Sequence, residues 1–183
     1  MRTSLAWIAG AIMSTTLALS AQAQTTTQTG TGRGGSPHVR TEWKIDGAHV
    51  TIDYGRPSLK GRSESQMMPA GKPWRTGADE ATVITTDKPL TFGAVRLAAG
   101  SYTINTQPGE KDWQLIFGKL GKAGQWGVPY QTALETGRAP MMLAKASAPV
   151  EQVTYSIDKG KSGRTLRIEW GMTSVSAPFT VGK

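Results

Sequence analysis

The sequence HVTIDY at residues 49–54 decides the fold, because apolar and polar side chains alternate along it. Successive side chains of an extended strand point to opposite faces, so Val50, Ile52 and Tyr54 share one face and the polar residues share the other. One apolar and one polar face is typical of a strand in an antiparallel sheet with a buried side. The same alternation is found in further segments, at residues 81–86, 101–106, 113–119, 140–145, 152–158, 165–170 and 174–180.

Short turns separate these segments and leave little room for helix. Gly and Pro at residues 88–89, 99–100 and 108–109 mark breaks between strands. Only residues 67–70 and 131–136 could form a turn or two of helix, and neither has the apolar spacing of a packed helix. The pattern predicts an all-β fold, a single antiparallel β-sandwich with very little helix and a long loop after the second strand.

Residues 1–23 have the pattern of a secretory signal peptide. Arg2 precedes an apolar run at residues 5–19, and the sequence AQA at residues 21–23 then supplies a cleavage site. The run is shorter than the ~20 apolar residues that a membrane span requires. We therefore expect a periplasmic or secreted protein, cleaved near Ala23 and without a membrane span after cleavage.

The rest of the chain divides into a short leader and one domain. Residues 24–35, QTTTQTGTGRGG, are polar and glycine-rich, and we expect them to form a flexible leader. Residues 36–183 then form a single domain, long enough to bury a core without disulfides. The sequence has no cysteine, which excludes thiol chemistry, cysteine metal sites and a lipid-anchored N-terminus.

The chain is basic, with 21 Lys and Arg against 13 Asp and Glu and a formal net charge of +8. Loss of Arg2 with the signal peptide would lower this charge by one, to +7. Such a balance favours acidic partners. The basic residues are scattered without a run of five or six, and no nucleic-acid-binding motif accompanies them, so we expect no nucleic-acid partner.

The segment DYGRPSLKGRSESQMMPAGKPWRTGADEAT, residues 53–82, gathers three arginines and a tryptophan. Arg56, Arg62 and Arg75 could converge at one end of the sheet, and their planar donor forks suit a carboxylate or phosphate. Trp74 would provide a flat surface beside them. Alternatively, the arginines brace the loop by pairing with loop carbonyls and with four nearby acids, Asp53, Glu64, Asp79 and Glu80.

Two further aromatic residues lie in the sequence QWGVPYQ at residues 125–131. They could stack on a sugar ring while an arginine holds an acidic substituent. Packing of this loop onto the sheet is the alternative interpretation. The predicted ligand site consists of Arg56, Arg62, Trp74, Arg75, Trp126 and Tyr130.

The sequence contains little that points to catalysis. His38 and His49 are the only histidines, without metal-ligand spacing, so no metal site is predicted. His49 lies about 13 Å along its strand from Asp53, too far for a hydrogen bond. Carboxylate pairs among Asp53, Asp79 and Glu80 could support glycoside hydrolysis, whereas serine-hydrolase and phosphate-loop motifs are missing from the sequence. We assign no catalytic residue and no cofactor.

Several short motifs are distributed along the domain: DYGRP at 53–57, KGR at 60–62, WRTGA at 74–78, EAT at 80–82, AGSY at 99–102, Trp113, and Trp126-Gly127 with Tyr130. In these motifs the chain resembles the bacterial family catalogued as domain of unknown function 2911, over about residues 36–178. The residues SESQ at 63–66 replace a glycine-containing stretch that is usual in that family. The resemblance implies an exported bacterial β-protein of unassigned activity and supplies no catalytic residue.

Together these features predict an exported, non-catalytic binding module for an acidic or carbohydrate-bearing envelope ligand. Two alternatives remain open, a periplasmic hydrolase with paired carboxylates and a structural envelope protein without a ligand. A hydrolase requires carboxyl groups that face open space, whereas a structural protein would have a sealed arginine network and no pocket.

Overall fold

The computed structural model describes residues 24–160 and 162–183, so the predicted signal peptide lies outside the described residues. No described helix is long and apolar enough to cross a membrane. The strands are β1 Gln24–Thr31, β2 Pro37–Ile45, β3 Ala48–Gly55, β4 Thr82–Thr86, β5 Leu90–Phe92, β6 Val95–Leu97, β7 Gly100–Gln107, β8 Trp113–Lys119, β9 Glu135–Gly160 and β10 Gly163–Val181. The short helix α1, Glu64–Met67, and a 3-10 turn, Thr132–Leu134, complete the elements.

The described strands form one antiparallel ten-stranded sheet in the order β1-β2-β3-β4-β7-β8-β9-β10-β5-β6. The all-β prediction is therefore confirmed, although a β-sandwich would have two separate sheets. This single sheet bends on itself, as contacts between strands that are not neighbours show. The ring centroids of Phe92 in β5 and Phe117 in β8 lie 4.9 Å apart, and those of Tyr54 in β3 and Tyr155 in β9 lie 4.6 Å apart. Its inner face encloses one hydrophobic core, which includes the predicted inward face of β3.

Two long strands replace four predicted short ones at the C-terminal end. β9 pairs with β8 near its start and then with β10 at residues 142–145, 150 and 154–160, so it connects these two strands. The register of β10 shifts on both sides of Gly171, which adopts a φ of 62°. The Glu64 carboxylate of α1 lies in this irregularity, where it accepts hydrogen bonds from the Met172 amide and the Thr173 hydroxyl.

The first described strand corrects the prediction of a flexible leader. Gln24–Thr31 pairs with β2 along its length, although every residue of the strand is exposed. Main-chain pairing, supported by a Thr26–Thr41 hydroxyl contact, holds the strand without a buried apolar side chain. The Gln24 side chain also accepts from Trp43 Nε1 and donates to the Tyr155 carbonyl. The long loop consequently follows the third strand, not the second.

Candidate functional site

The loop at residues 56–81, between β3 and β4, is fixed to the sheet through Trp74 and Thr76. Trp74 and Thr106 of β7 exchange two main-chain hydrogen bonds, 2.7 and 2.9 Å long. Thr76 is fully buried with a φ of 55°, which is unusual for a β-branched residue. Its carbonyl accepts from the Tyr155 hydroxyl at 2.8 Å and from the Thr82 hydroxyl at 3.2 Å. These bonds hold the WRTG segment in one conformation on the sheet.

An open groove of about 640 Å³ lies beside this anchored segment. One part of its wall is the turn that follows β1, and another is the loop itself. Trp74 and Trp170 stack within the wall, with ring centroids 5.4 Å apart and planes inclined by 9°. The lining residues are Gly34, Gly35, Ser36, Pro37, Pro57, Ser58, Lys60, Arg62, Met67, Pro73, Trp74, Arg75, Gly77, Ala78, Asp79, Val128 and Trp170.

Two of the three predicted arginines reach this groove. Arg62 donates from Nε to the Leu59 carbonyl at 2.9 Å and from Nη2 to the Ser58 carbonyl at 2.6 Å. Arg75 also lines the groove, but Arg56 does not. The groove therefore collects Lys60, Arg62 and Arg75 as its cations.

Arg56 instead connects the loop to β9. Its Nε donates to the Val153 carbonyl and its Nη2 to the Thr154 hydroxyl, both at 3.0 Å. For this arginine, the bracing interpretation agrees with the geometry. The predicted convergence of all three guanidinium groups is wrong, because Arg56 is turned toward β9.

Arg75 connects the loop to the segment that contains Trp126. Its guanidinium carbon lies 5.9 Å from the centroid of the Trp126 ring, and that of Arg33 lies at the same distance. Arg75 also donates to the Gly77 and Asp79 carbonyls at 3.4 and 3.3 Å. The Gly127 amide donates to the Asp79 carbonyl, so the two segments are in main-chain contact. Trp126 remains 42% exposed.

Tyr130 is committed to a separate polar cluster. Its hydroxyl donates to Glu135 Oε2 at 2.6 Å, and Arg138 donates to both oxygens of the same carboxylate. Burial, followed by the bond to Glu135, raises the pKa of Tyr130 to about 12. The hydrogen bond from Arg138 lowers the pKa of Glu135. Tyr130 and Trp126 line a cavity of only about 30 Å³, which has room for about one water molecule and not for a sugar ring.

None of the three candidate carboxylates has a loop arginine as its side-chain partner. Asp53 makes a two-pronged ion pair with Arg40 of β2, with N–O distances of 2.9 and 3.1 Å. Asp79, buried with a φ of 63°, lies 3.2 Å from His38 Nε2. Glu80 lies 3.4 Å from the other ring nitrogen of His38. Asp53 and Glu80 both line a second groove of about 340 Å³, yet each faces a basic side chain.

His38 is the residue that sequence reasoning missed. It pairs with Gly55 at the end of β3, and the long loop returns to that point through a bond from the Ala78 amide to the Gly55 carbonyl, which places Asp79 and Glu80 beside His38. The turn after β1 approaches this cluster so closely that a side chain at Gly32 would overlap Asp79 Oδ2. His49 instead lies 3.6 Å from Glu42 on the neighbouring strand, as a cross-strand polar partner. Within residues 24–160 and 162–183, no group of three or more His, Cys, Asp or Glu residues could hold a metal ion.

The comparisons with known proteins bear on the domain as a whole. Searches of curated proteins and of solved structures gave no match. A family model does match residues 36–179, which include the long loop, the groove cations and nearly all of the sheet. The chain therefore belongs to the family described as "protein of unknown function (DUF2911)", as its motifs had suggested.

Proposed function

We propose that this chain is an exported binding protein for an anionic ligand with a flat, partly apolar face, such as an acidic sugar of the cell envelope. The groove beside Trp74 is the observation that carries the proposal. Its volume of about 640 Å³ falls in the range of small-molecule sites. Three cations and a stacked pair of indoles line it together.

The arginines of the groove retain donors for a ligand. Arg62 uses Nε and Nη2 in its loop bonds, and among the described residues Nη1 has no acceptor. Arg75 makes two bonds of 3.3 and 3.4 Å, longer than a strong N–H to oxygen bond. A carboxylate or phosphate oxygen would form shorter, charge-assisted bonds to the same groups. These donors favour an anion over a neutral ligand.

The groove keeps a positive balance, because Lys60, Arg62 and Arg75 line it against the single carboxylate of Asp79. That carboxylate is buried and lies 3.2 Å from His38 Nε2. Trp74 is half-buried, so part of its indole is available to a sugar face in the groove. A uronic acid, which is a sugar that carries a carboxylate, fits both features. The cations would bind its carboxylate, and the indole would pack against the face of its ring.

Binding is better supported than hydrolysis. Two-carboxylate hydrolysis requires a general acid at the glycosidic oxygen and a second, accessible carboxylate that acts as a base on water or as a nucleophile on the sugar carbon. Here Arg40 holds Asp53 in a two-pronged pair, and His38 separates Asp79 from Glu80. The open groove in turn favours a binding role over a purely structural one. Export rests on the signal-peptide pattern of residues 1–23, and mass spectrometry of the protein isolated from the periplasm or medium tests it.

Calorimetric titration with galacturonate and with galactose tests the binding proposal, because the two sugars differ by the carboxylate alone. We expect galacturonate to bind and galactose to bind at least ~10-fold more weakly, as charge-assisted hydrogen bonds are lost. Arg62→Ala should weaken galacturonate binding. The matched control is Arg167→Ala, which breaks an ion pair with Asp158 outside the groove. Equal binding of both sugars, or equal effects of both substitutions, would contradict the proposal.

A further inference from the structure

The two edges of the sheet differ in their protection against pairing with another strand. The edge strand β6 has three residues, with Arg96 at its centre. The opposite edge strand β1 has eight residues, and it contains only Gln, Thr and Gly. Edge strands are commonly shortened, charged or interrupted by proline, which prevents association. The β1 edge has none of these three features, and its one protective feature, a bulge between Gln28 and Gly30, lies beyond its first five residues. Within the described residues it pairs only with β2.

The sequence of this edge is symmetric. Residues 24–28 read QTTTQ, the same in both directions, with Thr26 at the centre. The register of β1 against β2 is regular over these five residues, and its only shift lies between Gln28 and Gly30. The regular part of the edge is therefore the symmetric part.

Antiparallel pairing of two identical strands restricts where a twofold axis can lie. Directly opposed residues alternate between hydrogen-bonded and non-hydrogen-bonded pairs. A twofold axis midway between two neighbouring pairs would map a hydrogen-bonded pair onto a non-hydrogen-bonded pair, which is impossible. The axis must therefore pass through the centre of one pair. The two members of that pair are then the same residue in the two copies. An axis at Thr26 places Gln24 opposite Gln28 and Thr25 opposite Thr27. Each opposed pair then consists of identical, uncharged side chains.

We propose that β1 pairs antiparallel with β1 of a second copy of this chain, about a twofold axis at Thr26. The Gln and Thr pairs can hydrogen-bond across the interface, as Thr26 and Thr41 already do between β1 and β2. The side chains of residues 24–28 carry no charge, so the basic residues of the chain do not oppose this contact locally. Cleavage near Ala23 would add an α-ammonium group at Gln24, which lies opposite the neutral Gln28 of the second copy and about four residues, or ~14 Å, from the other α-ammonium group. The two bent sheets then become one continuous sheet.

Light scattering after size-exclusion chromatography tests the proposal on protein expressed from the full chain and processed in the cell. The wild type should elute with twice the chain mass at high concentration. Thr25→Lys/Thr27→Lys places lysines opposite lysines and should yield the monomer. The matched control, Ser147→Lys/Ala148→Lys, adds the same charge at exposed positions of β9 and should remain dimeric. A monomeric wild type, or a dimer that only the control dissociates, overturns the proposal.

Cysteine cross-linking tests the axis itself, since the chain has no cysteine of its own. Opposed Cα atoms lie about 4.5–5.5 Å apart, within the range of a disulfide. Thr26→Cys should therefore form a disulfide-linked dimer under mild oxidation. Thr25→Cys is the control, because its copy lies about two residues, or ~7 Å, farther along the strand. Failure of Thr26→Cys to cross-link, or faster cross-linking of Thr25→Cys, overturns an axis at Thr26.

Discussion

The indole of Trp74 lies parallel to that of Trp170, with the ring centroids 5.4 Å apart. Trp170 is buried at the end of the regular part of β10, and its Nε1 donates to the Glu151 carbonyl. Trp74 is also the loop residue that pairs with Thr106 of β7. Through Trp74, the loop is therefore connected to both β7 and β10. The same contact stabilises the loop and forms the aromatic wall of the groove.

Trp74→Ala should lower the free energy of unfolding by about 2 kcal/mol, because a half-buried indole and its stack are lost. Trp74→Phe keeps an aromatic ring against Trp170 and should cost about half as much. Urea denaturation of the two variants measures the difference. Equal stability of the wild type and Trp74→Ala would mean that the stack does not anchor the loop.

Substitution of Arg56 should mainly lower stability, whereas substitution of Arg62 should mainly weaken ligand binding. Arg56→Ala removes two hydrogen bonds to β9 and should cost about 1–2 kcal/mol of unfolding free energy, with little effect on galacturonate affinity in the folded protein. Arg62→Ala, at an exposed loop position, should change stability by less than about 0.5 kcal/mol and weaken binding. Denaturation and calorimetry on both variants provide the comparison. The reverse pattern would place the ligand near Arg56.

The close approach of the β1–β2 turn to the His38–Asp79 pair predicts a strong effect at one glycine. A Cβ at Gly32 would lie 1.8 Å from Asp79 Oδ2 and 2.6 Å from His38 Nε2, so Gly32→Ala must displace the pair. We expect a loss of about 1–3 kcal/mol in unfolding free energy.

Gly30→Ala is the matched control, because a Cβ at Gly30 meets no atom within 4 Å. It should change stability by less than about 0.5 kcal/mol. Thermal denaturation of the two variants measures both effects. If they proved equally stable, the turn would not pack against the pair.

Glu135 should contribute stability that depends on pH. Arg138 lowers the pKa of Glu135 in the folded protein, so the contribution is complete above the ordinary glutamate pKa of about 4.3. It is lost as the pH falls through the lower folded-state pKa. Glu135→Gln should thus destabilise the protein by about 1 kcal/mol near neutral pH, and the difference from wild type should shrink in strong acid.

Denaturation curves at several acidic pH values measure the Glu135 effect. Glu110→Gln is the control, because Glu110 is exposed in the turn between β7 and β8. It should change the free energy of unfolding by less than about 0.5 kcal/mol near neutral pH. A difference between wild type and Glu135→Gln that stays constant with pH would exclude the ionised pair as its cause.

The parts of the fold that depend on side-chain periodicity could be predicted from the sequence. Val50 and Ile52 are fully buried on the face that their alternation indicated. The strand β1 could not be found in this way, because its pairing uses main-chain groups and no apolar face. The continuity of β9 could not be predicted either. Its residues 144–149 lie beyond Met141, the last residue that pairs with β8, and they are mostly exposed, so no apolar alternation marks them as strand.

The candidate site was predictable only where sequence neighbours act together. Arg62, Trp74 and Arg75 line one groove because a single loop carries them. The partners of the carboxylates come from other parts of the chain, Arg40 for Asp53 and His38 for Asp79. Strand register determines the first pair, and the return of the long loop to the end of β3 determines the second. The two-residue turn Asp46-Gly47 sets the register that opposes Arg40 and Asp53, whereas no spacing within the sequence encodes the distance from His38 to Asp79.

The indole N–H resonance of Trp74 in a nitrogen-15 NMR spectrum, assigned with Trp74→Phe, tests the binding site most directly. Titration with galacturonate should shift this resonance progressively, while that of the buried Trp113, which does not line the groove, stays in place. A Trp74 resonance that remains unchanged at saturating galacturonate, or a shift confined to Trp113, would contradict an acidic-sugar site in the groove.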